Sequence, residues 1–262
     1  MSTVSQSVIT AFDRGVLTIT LNRPKANAFN MEMSEAAQAA FKAAERDKAV
    51  RCVLLTGSGG FFSAGQDVTE VKDEQDFSFR RHLQRTYHPL VLQIRRLEKP
   101  VLAALNGPVA GAALGIALAC DLRIAAEAAR LVVGFIGIGL APDSAVSLLL
   151  PAIIGLGRAT EHIFTNRPIS AAEALSMGLV NRVVPTGELA ERAFEWAQEL
   201  AGGPLGAIGL SKRALNKAIL GQLEGVLDYE AHLQDIAGRG AEHQEGLRAF
   251  LEKRPARFSD YS

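Results

Sequence analysis

The chemistry open to this chain is narrowed first by the motifs it lacks. No GxGxxG, Walker A, GxSxG, HExxH or paired CxxC pattern occurs, so the signatures for dinucleotides, nucleoside triphosphates, serine hydrolysis and zinc are missing. Gly155-Leu156-Gly157 completes no fingerprint and reads as a helix N-terminus after a turn. The five histidines, His82, His88, His162, His232 and His243, show no ligand clustering with cysteine or carboxylate, and no metal is expected. Two glycine-centred segments carry more. Phe61-Phe62-Ser63-Ala64-Gly65-Gln66-Asp67 follows an apolar strand, and Asn106-Gly107-Pro108-Val109-Ala110-Gly111-Ala112-Ala113 opens a helix. Each places backbone amides where an anion could sit, because a helix N-terminus carries unpaired N–H groups and roughly half a positive charge. Taken singly, each also reads as a tight structural turn.

The elements that must position these segments follow from periodicity and punctuation. Val8 to Leu21, two apolar runs around Asp13-Arg14-Gly15, reads as a hairpin. Ser34 reads as the N-cap of a helix bearing Ala36, Ala37, Ala40, Phe41 and Ala44, and Cys52 to Leu55 as a buried strand ending at Gly57. The polar stretch Asp67 to Arg81 reads as a mobile loop or loose helix. A helical pattern from Phe79 to Leu97 stops at Glu98-Lys99-Pro100, Val101 to Leu105 is a strand, and Gly111 to Ala119 a helix of small residues. Strands at Leu122 to Ala126 and Leu131 to Val133 give way to helices, with one late strand at Val180 to Val184. The class is α/β. Gly202-Gly203-Pro204 is the best boundary, dividing a core of residues 1–201 from a helical region of residues 202–262 that packs on the body or on a neighbour.

Composition excludes other classes. Among 262 residues, Lys+Arg and Asp+Glu are 28 each, so no net charge draws in nucleic acid or an anionic membrane. Cys52 and Cys120 sit in apolar runs and no secretory segment precedes residue 10, which reads as reduced thiols in a cytoplasm. The apolar stretch Val101 to Cys120 is interrupted by three glycines and a proline and suits a protein interior better than a membrane.

Joined with Arg23-Pro24-Lys25-Ala26-Asn27-Ala28-Phe29-Asn30, Pro100 to Leu105, Cys120-Asp121 and Ser170-Ala171-Ala172-Glu173-Ala174 through Gly178-Leu179-Val180, the two glycine segments resemble the crotonase (enoyl-CoA hydratase/isomerase) superfamily, in matching order from about residue 8 to residue 258. The resemblance implies a spiral of ββα units with a C-terminal helical region that builds homotrimers, usually paired into hexamers. It implies an acyl-CoA substrate and no further cofactor, the CoA thioester being the substrate itself. The thioester oxygen would be held by the backbone amides of Gln66 and Ala112, which follow Gly65 and Gly111. Lys25, Ala26 and the Ala64 to Asp67 loop would line the adenine end of CoA, Phe135 would face the substrate, and Phe250 and Lys253 could reach a neighbour's CoA.

Departures from the family pattern decide the chemistry. Hydratases of the family place glutamates at positions 115 and 135; this chain has Gly115 and Phe135. The remaining acid near the expected pocket is Asp143, in Gly137-Ile138-Gly139-Leu140-Ala141-Pro142-Asp143-Ser144. Read locally, it is the N-cap of the helix that follows. Ala141-Pro142-Asp143, with Tyr87-His88-Pro89-Leu90 and Phe135, resembles the branch containing 1,2-epoxyphenylacetyl-CoA isomerase and Δ3,Δ2-enoyl-CoA isomerases, where one carboxylate here shuttles a proton. Another relative, 4-chlorobenzoyl-CoA dehalogenase, has an aspartate at this place, a histidine at position 88 and a tryptophan at position 135; Phe135 has no indole N–H, and His88 reads equally as a packed or a catalytic histidine. Asp121 reads as fixing a turn. The expectation is an enoyl-CoA isomerase; the alternatives are a hydratase-like enzyme, a dehalogenase-like enzyme, or an acyl-CoA-binding protein without catalysis.

Overall fold

The chain reverses at Arg14-Gly15, where both residues take positive φ (44° and 82°), and this joins β1 (Val8–Asp13) to β2 (Val16–Leu21) as an antiparallel hairpin. Two left-handed residues supply the twist that a tight hairpin needs. The computed structural model describes residues 7–24, 26–69 and 77–261. Lys25 and residues 70–76 of the polar stretch lie outside them.

Helix α1 (Met31–Arg46) carries the chain to β3 (Cys52–Gly57), and α2 (Phe79–Arg85) and α3 (Tyr87–Arg96) lead to β4 (Val101–Leu105). Then come β5 (Val109–Ala110), α4 (Ala112–Ala119), β6 (Leu122–Ala126), β7 (Arg130–Val132), α5 (Val146–Ile154), α6 (Leu156–Thr165), β8 (Ile169–Ser170), α7 (Ala171–Ser176), β9 (Arg182–Val184) and α8 (Leu189–Gly202). The chain ends in α9 (Leu205–Ile219), α10 (Leu223–Gly238) and α11 (Ala241–Leu251). The main sheet has the order β1-β2-β3-β4-β6-β9 and is parallel from β2 onward; a small sheet, β5-β7-β8, stands beside it. Stacked strand–helix turns of this kind form the ββα spiral of a mixed α/β fold.

Alternation along the central strands fills two cores, because successive side chains leave opposite faces of a sheet. Val53, Leu55, Val101, Ala103 and Leu105 join the larger core with α1, α3 and α4. Cys52, Leu54, Leu102, Ala104 and Ile124 face α8, where Leu189, Ala193, Trp196 and Ala197 cover them. Both cysteines are buried and unbridged.

Three local readings of the sequence are corrected. Asn30, not Ser34, caps α1: its Oδ1 accepts the Met33 N–H at 2.9 Å, and the Ser34 hydroxyl donates back to the Asn30 carbonyl. Asn and Ser are equivalent caps, so the choice fell to where the helix could start. The Phe79 to Leu97 pattern is two helices broken at Thr86, whose hydroxyl donates to the His82 carbonyl at 2.7 Å and bends the path. Asp143 is not a cap either, since α5 begins only at Val146, with Ala145 (φ 65°) in the cap position.

Helices of the 202–262 region lie on the body of their own chain. Lys212 of α9, 5% exposed, meets Asp121 Oδ2 at 2.7 Å and donates to the Ile94 carbonyl. Asp121 also accepts from Arg95 and from the Val101 N–H. It therefore locks α9, α3 and β4 together rather than merely fixing a turn. Helix α10 rests on α2 and α5, and α11 on the turn at Ile136–Ile138. Asp121→Ala leaves two cations without their carboxylate and should cost about 3 kcal/mol. Lys212→Met should cost less, because Asp121 keeps Arg95 and the Val101 amide; urea unfolding midpoints compare the two, and equal losses would contradict this ranking.

Candidate active site

Helix α4 aims its N-terminus at a cavity of about 560 Å³. All eight of its residues are buried, so its terminal groups must find partners inside the protein. At its far end Arg123, 6% exposed, donates to the carbonyls of Cys120 (2.8 Å) and Leu179 (2.7 Å), a cation placed where the helix dipole is negative. At its near end Gly111 has φ 56° and ψ −133°, a backbone that Cβ-bearing residues rarely adopt. The Ala112 N–H that follows donates to no protein acceptor among the described residues.

The Ser63–Asp67 loop lies directly against this end. A methyl built on Gly65 (φ 86°) would fall 2.6 Å from the Ala110 carbonyl oxygen and 3.5 Å from the Ala112 nitrogen, so only glycine allows the approach. The loop is pinned elsewhere: Ser63 Oγ donates to the Asn27 carbonyl at 2.7 Å, the Ala64 N–H to Ala26, and Asn27 Nδ2 to the carbonyls of Ser58 and Phe61. Phe29 bridges it in parallel, its N–H reaching Gly65 and its carbonyl receiving the Asp67 N–H. That pairing leaves the Gln66 N–H without a protein acceptor among the described residues. The two unpaired amides named from the sequence thus stand on adjoining walls of one cavity.

The Gln66 side chain is itself held. Its Oε1 accepts from the Tyr87 hydroxyl at 2.5 Å and from His82 Nε2 at 2.8 Å. An amide oxygen carries no proton, so His82 must hold its own on Nε2. Burial, with Arg85 nearby, pushes the His82 pKa down to about 4 and keeps the ring neutral.

Asp143 lines the same cavity and is 5% exposed. Its Oδ1 accepts from Ser144 Oγ at 2.7 Å and its Oδ2 from Gln234 Nε2 at 2.8 Å. Burial raises its pKa to about 6, against the lowering effect of those two bonds. The other lining carboxylate is Asp67. Burial pushes its pKa up, but bonds from Thr69 and Arg23 outweigh that and hold it below the usual carboxylate range. Asp143 is therefore the lining carboxyl with no cationic partner and a proton affinity near neutrality.

Position 115 is sterically closed to a side chain. A Cβ there would lie 2.4 Å from the Ser144 carbonyl oxygen and 2.6 Å from Ser144 Cβ. The backbone that presents Asp143 occupies the space a glutamate would need. Phe135, 5% exposed, adds an apolar wall.

The remaining sequence candidates divide. Ala64, Gly111 and Phe250 line the Asp143 cavity. Phe250 does so from α11 of its own chain, on a helix docked through His243 Nδ1, which donates to the Ile138 carbonyl at 2.8 Å. Ala26 lies in an adjoining hollow with Arg23 and Asn27. Lys253 follows α11 at φ 55° and is exposed, outside the cavity lining. His88 lines a different hollow, with Phe41, Gln84 and Arg96; burial pushes its pKa down to about 4. Among the described residues no three His, Cys, Asp or Glu side chains are grouped to hold a metal ion, and no helix is long and apolar enough to cross a membrane.

Two buried groups were missed. Glu230 accepts the N–H groups of Ala145 (2.8 Å) and Ser147 (3.0 Å) and the Ser147 hydroxyl, so it serves as the cap of α5. Gln234 holds Asp143. The available signal was spacing: residues 223, 227, 230, 231 and 234 share one face of a helix, which puts two polar residues on an apolar stripe.

Compared with known proteins, residues 11–261 match the family described as Enoyl-CoA hydratase/isomerase. The chain belongs to that family. Three relatives carry different names. The 1,2-epoxyphenylacetyl-CoA isomerase of Escherichia coli (strain K12) is 39% identical, over 96% of this chain and 98% of that protein. A probable enoyl-CoA hydratase of Rhodobacter capsulatus is 38% identical (94% and 95%), and 4-chlorobenzoyl coenzyme A dehalogenase-2 of Arthrobacter sp is 36% identical (91% and 88%). Among solved structures, an enoyl-CoA hydratase from Mycobacterium avium subsp. paratuberculosis K-10 superimposes with a TM-score of 0.87 at 31% identity, over 96% of this chain and 98% of that one. The protein is thus an enzyme of the enoyl-CoA hydratase/isomerase family with the crotonase fold. Its family relatives differ in named reaction, so the reaction must be argued from the site.

Proposed function

We propose that this enzyme is an enoyl-CoA isomerase. The observation that carries the reading is Asp143: a buried carboxyl without a cationic partner, lining a cavity that also holds two unpaired backbone amides, with position 115 closed to a second acid. A 3-enoyl thioester places its carbonyl oxygen at the N–H groups of Gln66 and Ala112. Asp143 removes a proton from the carbon next to the thioester, the electrons move onto the oxygen, and the two amides stabilise the enolate. The same carboxyl returns the proton at the far end of the former double bond, giving the conjugated 2-enoyl thioester. A pKa raised to about 6 suits a group that must both take and give a proton near neutral pH. No metal or redox group enters these steps.

The CoA portion follows the wall formed by Ala26 and Ala64 to Asp67, and the acyl group lies against Phe135, Leu140 and Phe250. Hydration needs a carboxylate to activate water, and Gly115 and Phe135 supply none. Dehalogenation by the resembling enzyme uses a histidine at 88 and an indole N–H at 135; here His88 faces another hollow and residue 135 is phenylalanine. We further infer a homotrimer or a pair of trimers, because Leu210, Leu215 and Ile219 of α9 and Tyr229 and Ile236 of α10 are exposed apolar side chains.

Light scattering at micromolar concentration should give a trimer or hexamer; a monomer contradicts the assembly. Asp143→Asn keeps the size and both polar ends of the side chain but removes the base, and should lower conversion of a 3-enoyl-CoA to its 2-enoyl isomer by roughly 10²- to 10⁴-fold with little change in acyl-CoA affinity. Near-normal isomerisation by the folded variant would overturn the role of Asp143. Hydration of crotonyl-CoA as fast as isomerisation would overturn the reaction itself, and binding without any conversion would favour an acyl-CoA-binding protein.

A further inference from the structure

Gln234 is 1% exposed, and its amide does one thing. Nε2 donates to Asp143 Oδ2 at 2.8 Å, while Oε1 is buried with no hydrogen-bond partner. An unpartnered amide oxygen inside a protein is a net cost to folding, and a methionine or leucine of similar volume would avoid it. The neighbouring positions on the same face of α10 are Leu227, Ala231 and Glu230, and the Glu230 carboxylate is taken up by the Ala145 and Ser147 amides, so the only partner the Gln234 amide finds is Asp143. The one favourable contact it makes is with the carboxyl at the centre of the site. Buried polar groups that cost stability and serve a reactive group are the pattern expected where function overrides packing.

The direction of its effect follows from which end faces Asp143. A donor to a carboxylate favours the charged form. Gln234 therefore works against burial, which favours the neutral acid. The other groups around Asp143 leave that task to it and to the Ser144 hydroxyl. Glu230, on the same helix, is an acid whose charge opposes a second one nearby. The same cavity is lined by His82 of α2, Tyr87 of α3, Asp67 and His243 of α11; burial disfavours the charged form of both histidines, and Asp67 is held by Arg23.

We propose that Gln234 is a positioning residue for the proton transfer: its Nε2–H fixes the Asp143 carboxylate from the side of α10 and keeps it ionised enough to act as a base. The proposal rests on the reading of Asp143 as the proton carrier. It also makes the C-terminal region of the same chain part of the reaction, since α10 delivers the amide.

Two variants test it. Gln234→Met removes the donor at nearly constant volume; Gln234→Glu replaces it with an acid that must share a proton with Asp143. In both, the acid limb of kcat/KM should move up, in Gln234→Met by about one to two pH units, so that activity at pH 7 falls roughly two- to ten-fold and returns at higher pH, with KM little changed. Thermal stability of Gln234→Met should be equal to or above that of the parent. Infrared titration of the Asp143 carboxyl in the unliganded protein, with Asp143→Asn as the subtraction reference, reads the same shift without turnover. An unmoved carboxyl midpoint in both variants overturns the proposal. Loss of stability in Gln234→Met with an unmoved pH profile also overturns it, by making Gln234 a structural residue. If Asp143→Asn stays active, the reading of Asp143 as the proton carrier fails instead, and the infrared midpoint still judges the contact.

Discussion

Helix α5 begins inside the protein, and the amides of its first turn need acceptors there. Glu230 supplies them, taking the N–H groups of Ala145 and Ser147 from a helix far along the chain. The site depends on this junction. With those amides held, Ser144 and Ala145 are kept in left-handed conformations (φ 56° and 65°), a local strain that surrounding structure must sustain. The Ser144 carbonyl then presses over Gly115, and Asp143 is turned into the cavity. Because Glu230 sits on α10, the same contact brings in Gln234, and α11 follows with Phe250 to wall the cavity.

The groups proposed for catalysis divide by how much they can change. Gln66 and Ala112 offer peptide dipoles fixed by the loop at Gly65 and by the buried helix α4, and fixed dipoles need no reorganisation when charge develops. Asp143 is the adjustable element. Burial drives its proton affinity up and two neutral donors draw it down, leaving a pKa of about 6. A cation beside it, such as the one Arg23 provides for Asp67, would have fixed the carboxylate in its charged form and weakened it as a base.

Much of this was legible in the sequence where information is local. The hairpin at Arg14-Gly15, the strand from Cys52 and the glycines ahead of Gln66 and Ala112 all follow from period, turn chemistry and backbone freedom. The absence of acids at 115 and 135 was equally plain, but the reason position 115 is closed lies in Ser144, which no spacing reveals. The capping readings failed at Ser34 and Asp143 because several polar residues near a helix start can each accept an amide, and tertiary contacts choose among them. For α5 the chosen acceptor was Glu230, which no local rule could reach. Its place and that of Gln234 on the apolar stripe of α10 was visible; what they touched was not. His88 sits in a motif shared with the dehalogenase resemblance, yet the bend at Thr86 leaves it facing a separate hollow.

The central claim is that Asp143 and the two amides together ionise the carbon next to a thioester, whatever happens to the proton afterwards. A saturated acyl-CoA such as butyryl-CoA isolates that step, because it has no double bond to move. Incubated with the enzyme in deuterated water and followed by proton NMR, its α-protons should exchange with solvent. The exchange should vanish in Asp143→Asn while the variant still binds the thioester. Exchange that persists in Asp143→Asn at the parent rate would place the base elsewhere and contradict the account.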